Sequence, residues 1–109
     1  MKREVLPRKA FDLAELVDYV EGSSAKRTIA KSDGGGISVF AFDVGQGLSE
    51  YSTSLSALVQ VLDGEAELRF GEQSLTVHAG QIVLMPAGVS HGVKARQRSK
   101  ILMVTFRAK

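Results

Sequence analysis

The chain has 109 residues, 24% of them charged, and a formal net charge of +2; that describes one globular unit and is too little charge to demand a polyanionic partner. It has no cysteine and two histidines, His78 and His91, which rules out disulfides, zinc fingers, iron–sulfur ligation and thiol chemistry. Any metal site would need ligands beyond imidazole. No apolar run approaches the ~20 residues that span a bilayer, and the basic N-terminus runs into acidic FDLAELVDYVE instead of a signal-peptide apolar stretch. No membrane partner and a cytoplasmic location are expected.

Along the chain, Leu13, Leu16, Val17 and Val20 fall at helical spacing, with Asp12 as N-cap, Glu15 three residues on and Gly22 as a stop. The spacing predicts a short helix or an irregular arm within an N-terminal segment 1–24, because eleven residues make only a marginal helix on their own. From Lys26 onward the period changes to two. Candidate strands are Arg27–Lys31, Ile37–Val44, Ser49–Ser52, Ala57–Leu62, Glu65–Phe70, Ser74–His78, Gln81–Met85, His91–Arg96 and Lys100–Arg107, with glycine-bearing turns between most of them. Asp63-Gly64 between two of these runs predicts a tight hairpin of type I′. Many short strands without crossover helices predict an all-β fold over 25–109, an antiparallel β-barrel or jelly roll.

Alternation assigns the faces. Ala66, Leu68 and Phe70 are expected inside, with Glu65, Glu67 and Arg69 in water. Leu75 and Val77 point inward and His78 outward. His91, Val93 and Ala95 share an inner face, opposite Lys94 and Arg96. Tyr51, Thr53, Ala57, Val59 and Val61 share one parity. Leu58 and Leu62, and likewise Ile37, Val39 and Ala41, lie on the opposite sides of strands whose inner sides are already apolar. A second subunit would cover those outer faces, so a homodimer is expected, with the N-terminal arm as a partial alternative. All twelve acids lie at or before Glu72, leaving a basic C-terminal third in which Lys94, Arg96, Arg98 and Lys100 recur at period two. No aromatic residues interleave with them to stack bases, so a solvated face is expected and no nucleic acid.

Two glycine-bearing stretches fit a known frame. Gly45-x5-Tyr51-x-Thr53-x3-Ala57-x6-Gly64 follows the spacing G-x5-H-x-H-x3,4-E-x6-G, and Gly80-x5-Pro86-x-Gly88-x2-His91-x3-Ala95 follows G-x5-P-x-G-x2-H-x3-N. With these motifs the chain resembles the cupin superfamily over about residues 37–106, and in particular its small single-domain conserved barrels. In metal-dependent cupins the first motif gives two His and a Glu, and the second the last His. Tyr51, Thr53 and Ala57 stand at the first three positions, and His91 alone is retained. The resemblance therefore implies a jelly-roll barrel with no cofactor expected, a divalent metal being the weaker alternative.

In such a barrel Tyr51, Thr53 and His91 would line the mouth with Val59, Met85 and Val93, and Met103 nearby. The favoured reading is a metal-free module that binds a small organic molecule, with His91 and Tyr51 orienting it. The alternative is a small cupin enzyme, metal-free or metal-dependent, of isomerase, epimerase or dioxygenase type, with His91 and Tyr51 as the candidate catalytic pair. A third reading is a degenerate barrel kept for dimer contacts, with a solvent-filled or collapsed cavity. An open cavity lined by a hydrogen-bonded Tyr51–His91 pair would favour the first two, and a filled one the third.

Overall fold

The structure, a computed structural model, describes residues 7–107. Nine strands occur among them: β1 (Ser24–Ser32), β2 (Gly35–Phe42), β3 (Gly47–Tyr51), β4 (Ser56–Asp63), β5 (Glu65–Phe70), β6 (Gln73–His78), β7 (Ile82–Met85), β8 (His91–Ala95) and β9 (Ser99–Phe106). They form a five-stranded sheet in the order β1-β2-β9-β4-β7 and a four-stranded sheet in the order β3-β8-β5-β6. Every pair is antiparallel. This is the expected all-β jelly roll, with each predicted strand present and its ends moved by a few residues. No helix among the described residues is long and apolar enough to cross a membrane.

The core lies between the sheets. Period-two alternation sends Phe40, Phe42, Val59, Val61, Met85 and Ile101 inward from the wider sheet, and Ala66, Leu68, Val77, Val93 and Ala95 from the narrower one. Each fully buried side chain of the size of Leu68 or Ile101 contributes roughly 1.5–3 kcal/mol through removal from water. Phe40 and Phe42, two residues apart on one face, stack with ring centroids 5.6 Å apart.

Asp63-Gly64 departs from the sequence expectation. It does not close a hairpin, because β4 already pairs with β7 and β9 while β5 pairs with β6 and β8. The chain changes sheet there. Gly64 alone takes positive φ (75°), and a Cβ on it would lie 2.0 Å from the Arg98 carbonyl oxygen. The turn signal was correct, but it marks a corner between layers where only glycine fits.

Three face assignments also change. Glu67 is buried instead of solvated, its carboxylate bracketed by Arg69 Nε at 3.0 Å and Arg96 Nη2 at 2.9 Å. Those hydrogen bonds, Arg96 first and then Arg69, hold its carboxyl below the ordinary range. Leu75 faces the interior side but stays exposed, because β6 is an edge strand with a neighbour on one side only. The four basic residues of the C-terminal third do not form one solvated ridge. Arg96 belongs to the Glu67 cluster, whereas Arg98 and Lys100 bind the arm.

Of the short helix and the irregular arm expected here, the arm is what forms: it holds one 3-10 turn at Leu13–Leu16, and Asp12 caps nothing through its side chain. What holds the arm is the outer face of the wider sheet, where Val17 packs with Val39 and Ala41, flanked by Leu13, Tyr19 and Leu102. The Tyr19 hydroxyl donates to Asp63, while Arg98 and Lys100 sit 5.2 and 5.0 Å from its ring centre. Burial first, then Asp63, raises the Tyr19 phenol above its ordinary value. Lys100 Nζ donates to the Ala14 carbonyl at 2.6 Å. The Asp43 carboxylate accepts from the Gly22 amide at 2.6 Å and from Arg98 Nε at 2.9 Å.

The Gly22 amide, followed by Arg98, lowers the Asp43 carboxyl from 3.8 to about 2. A pKa lowered on folding stabilises the folded chain fully above pH 3.8, and the contribution is lost as pH falls through about 2. In thermal melts the wild type should exceed Asp43→Asn by a constant margin from neutral pH down to about pH 5. That margin should close as pH approaches about 2. A margin that persists at the acid end would show that the carboxylate charge does not hold the arm.

Candidate functional site

Register places one group of polar side chains inside the barrel. β1 and β2 pair Lys26 with Phe40 and Thr28 with Ser38, and β2 and β9 pair Ser38 with Met103 and Gly36 with Thr105. Directly paired residues share a face, and Phe40 belongs to the core; Lys26, Thr28, Ser38, Met103 and Thr105 therefore face inward. At this edge of the wider sheet the inner face is not covered. Lys26 and Thr28 are exposed although they point toward the interior side.

The result is a cleft of about 530 Å³ at the barrel mouth, with Phe40, Leu48, Leu55 and Met103 among its apolar walls and Lys26, Thr28, Ser38 and Tyr51 among its polar ones. Leu48 and Tyr51 both reach it from β3, although their parities differ. A register shift between them pairs Leu48 with Val93 and Tyr51 with His91, so both face inward. The Lys26 ammonium stands 5.6 Å from the centre of the Phe40 ring.

The residues expected in the pocket separate into four groups, His91 being the last. Tyr51 lines the cleft and is 42% exposed. Thr53 is turned to the local backbone: its Oγ1 accepts from Leu55 N at 3.2 Å and its carbonyl accepts from Gly88 N at 2.8 Å, tying two loops together. Val59, Met85 and Val93 are buried in the packed core and do not line the cleft.

His91 is 1% exposed and lies behind Tyr51, with ring centroids 5.1 Å apart and planes tilted by 52°. No hydrogen bond joins the pair. His91 Nδ1 lies 3.2 Å from the Val89 carbonyl, which can only accept, so Nδ1 carries a proton and Nε2 of the neutral ring presents a lone pair. That Nε2 is buried without a hydrogen-bond partner, a desolvation cost of about 1–3 kcal/mol. His78 faces outward as expected, its Nδ1 3.4 Å from Glu65 Oε2.

The donor set does not fit a metal ion. Ala57 offers no ligand atom, Thr53 Oγ1 is engaged by Leu55 N, and no group of three or more His, Cys, Asp or Glu that could hold a metal occurs among the described residues. A larger groove of about 730 Å³ runs between the arm and the outer sheet face, past Leu16, Val20, Arg27 and Lys100. Its Lys100 ammonium is engaged in seating the arm, so the mouth cleft is the better site.

Sequence reasoning missed Lys26, Thr28, Ser38, Leu48 and Leu55. The signal for the first three was present: alternation in 26–28 opposite 38–40 puts them beside Phe40 once the strands are paired. Leu48 was hidden by the register shift, which no pattern in the sequence marks.

The family model for the cupin domain matches residues 38–105. The chain matches no curated protein sequence. Among solved structures it is similar to a conserved protein of unknown function from Streptococcus pyogenes, at 29% identity and TM-score 0.91, over 99% of this chain and 95% of that one. It is also similar to a cupin superfamily protein from Desulfitobacterium hafniense, at 26% identity and TM-score 0.89, over 99% of both chains. A cupin 2 conserved barrel protein from Leptotrichia buccalis matches at 28% identity and TM-score 0.86, over 89% of this chain and 47% of that one.

Two substitutions separate the roles of the buried ring. His91→Ala leaves a cavity and should cost about 2–4 kcal/mol in urea titrations. His91→Leu fills most of the space and removes the unpartnered acceptor, so it should stay within about 1 kcal/mol of wild type. If Leu costs as much as Ala, the Nδ1 hydrogen bond to Val89, and not packing, is what position 91 supplies.

Proposed function

The chain belongs to the cupin family, and from that premise we propose that it is a metal-free module that binds a small organic molecule in the mouth cleft. The observation that carries this reading is the cleft itself. About 530 Å³ falls within the roughly 300–1,000 Å³ of small-molecule sites, and apolar walls with a few convergent polar groups are their usual composition. Tyr51 offers its hydroxyl and one ring face to a ligand resting on Phe40, Leu48 and Met103. The collapsed-barrel reading accounts for the buried Val59 and Met85 but not for an open mouth.

The enzyme reading has the unpartnered Nε2 of His91 in its favour. A general base must come within hydrogen-bond reach of the proton it takes, and His91 is 1% exposed behind Tyr51. Its Nδ1 is oriented by a carbonyl, which stabilises an imidazolium less than a carboxylate does. Both features weigh toward binding over catalysis.

The reading includes a second copy of the chain on the outer face of the wider sheet. Register lines up Ile37, Val104, Leu58 and Leu84 across four strands of that face without a charge among them. Ile82 and Leu84 are 58% and 60% exposed, and the described part of the arm packs toward Val39 and Ala41 instead. An uncharged flat row is self-complementary about a two-fold axis.

Two measurements test these readings. Titration of the protein with a fragment library in the presence of EDTA, followed by amide NMR, should move Thr28, Ser38, Tyr51 and Met103 together. Shifts confined to other surfaces would overturn the cleft as the site. Light scattering after size exclusion should give a dimer for wild type and a monomer for Leu84→Arg; a wild-type monomer at high micromolar concentration would remove the second copy.

A further inference from the structure

Inner-face positions next to Lys26 hold Phe40, Ile101 and Met103, and a lysine among them contributes nothing to packing of the interior. Its neighbours keep it there. The strand pairing sets Lys26 beside Phe40, and its ammonium stands 5.6 Å from the ring centre, a favourable contact for a cation. The carboxylates with ion-pair partners elsewhere are not its counterions: Asp43 pairs with Arg98, and Glu67 with Arg69 and Arg96. The charged groups of the cleft are Lys26, Lys31 and Asp33, a formal net charge of one positive.

We infer that the cleft selects small carboxylic acids with a compact apolar body, and that Lys26 is the group that selects them. This rests on the cleft being a small-molecule site. Beyond Lys26, the next row offers the Thr28 and Ser38 hydroxyls, and Tyr51 stands on the β3 side with another. These are groups that can donate, so the ligand end they suit is an acceptor. Phe40, Leu48, Leu55 and Met103 form the apolar part of the lining and suit a ring or short branched chain. A carboxylate fits better than a phosphate because the cleft carries one net positive charge, which a carboxylate balances and a phosphate dianion exceeds. Lysine meets a carboxylate as a point charge.

The test uses acids paired with neutral partners of the same shape: benzoate with benzamide, and phenylacetate with phenylacetamide. Phenyl phosphate is added as the third class. Amide NMR titrations of the full chain at pH 7 and low salt should show each acid binding at least tenfold more tightly than its amide, and more tightly than phenyl phosphate. The preference should shrink to less than threefold in Lys26→Met, which keeps the aliphatic stem, and persist in Lys94→Met on the outer face of the narrower sheet. Equal binding of acids and amides, or an undiminished preference in Lys26→Met, overturns the selection while leaving the small-molecule reading standing. Tighter binding of phenyl phosphate than of benzoate overturns the choice of carboxylate. If neither acids nor amides move the cleft resonances, both readings fall.

Discussion

Two sheets of unequal width pack face to face, and the features of this protein follow from where the narrower one stops covering the wider. Five strands oppose four. Where they overlap, inward side chains from both layers meet in one core, and Phe42, Leu68, Val59 and Met85 are sealed from water. At the β1 edge the wider sheet has no opposite number. The same period-two rule that buries Phe42 then leaves Lys26 and Thr28 pointing into an open mouth. One rule produces a packed floor and a wet rim, and the candidate site lies at the boundary between them.

The outer face of the wider sheet meets a related constraint, because its strands are apolar on both sides. The arm solves half of it with a strap of Leu13, Leu16, Val17 and Tyr19, fixed by polar contacts from Asp43, Asp63, Arg98 and Lys100. These contacts join segments far apart in the chain, which is how the acidic first part of the sequence and its basic last part become neighbours. Among the described residues, Arg96 pairs with Glu67 and Arg98 with Asp43 across that divide.

His91 shows how a retained motif residue changes meaning when its partners are replaced. The glycines and Pro86 of the motifs still make the corners of the barrel. With tyrosine, threonine and alanine in place of the other ligands, the imidazole is enclosed, its Nδ1 bound to a backbone carbonyl and its Nε2 left as a buried acceptor. Tyr51 closes over it and turns its other side to the cleft. The polar groups that a ligand would meet first are Lys26, Thr28, Ser38 and Tyr51, contributed mainly by strands outside the two motifs.

Much of the architecture was legible in the residues themselves. Alternation is a local property, so Ala66, Leu68, Val93, Ala95 and the other inward positions follow from a strand's own sequence, and the motif spacing fixes which glycines turn. The same local rule misplaced Glu67, whose burial depends on an arginine 29 positions away. Asp63-Gly64 signals a turn, but whether the chain returns along β4 or crosses to the other layer depends on which strands flank β4, and those lie far along the chain. Thr53 and Tyr51 share a parity, yet a loop contact with Gly88 claims one and the cleft the other. The sequence by itself determined the strands and most of their inner faces, because each depends on residue identity and short spacing. Only the tertiary structure decided that a cleft opens at the sheet edge with Lys26 in its wall, because that depends on strand pairing across the chain and on where one sheet ends above the other.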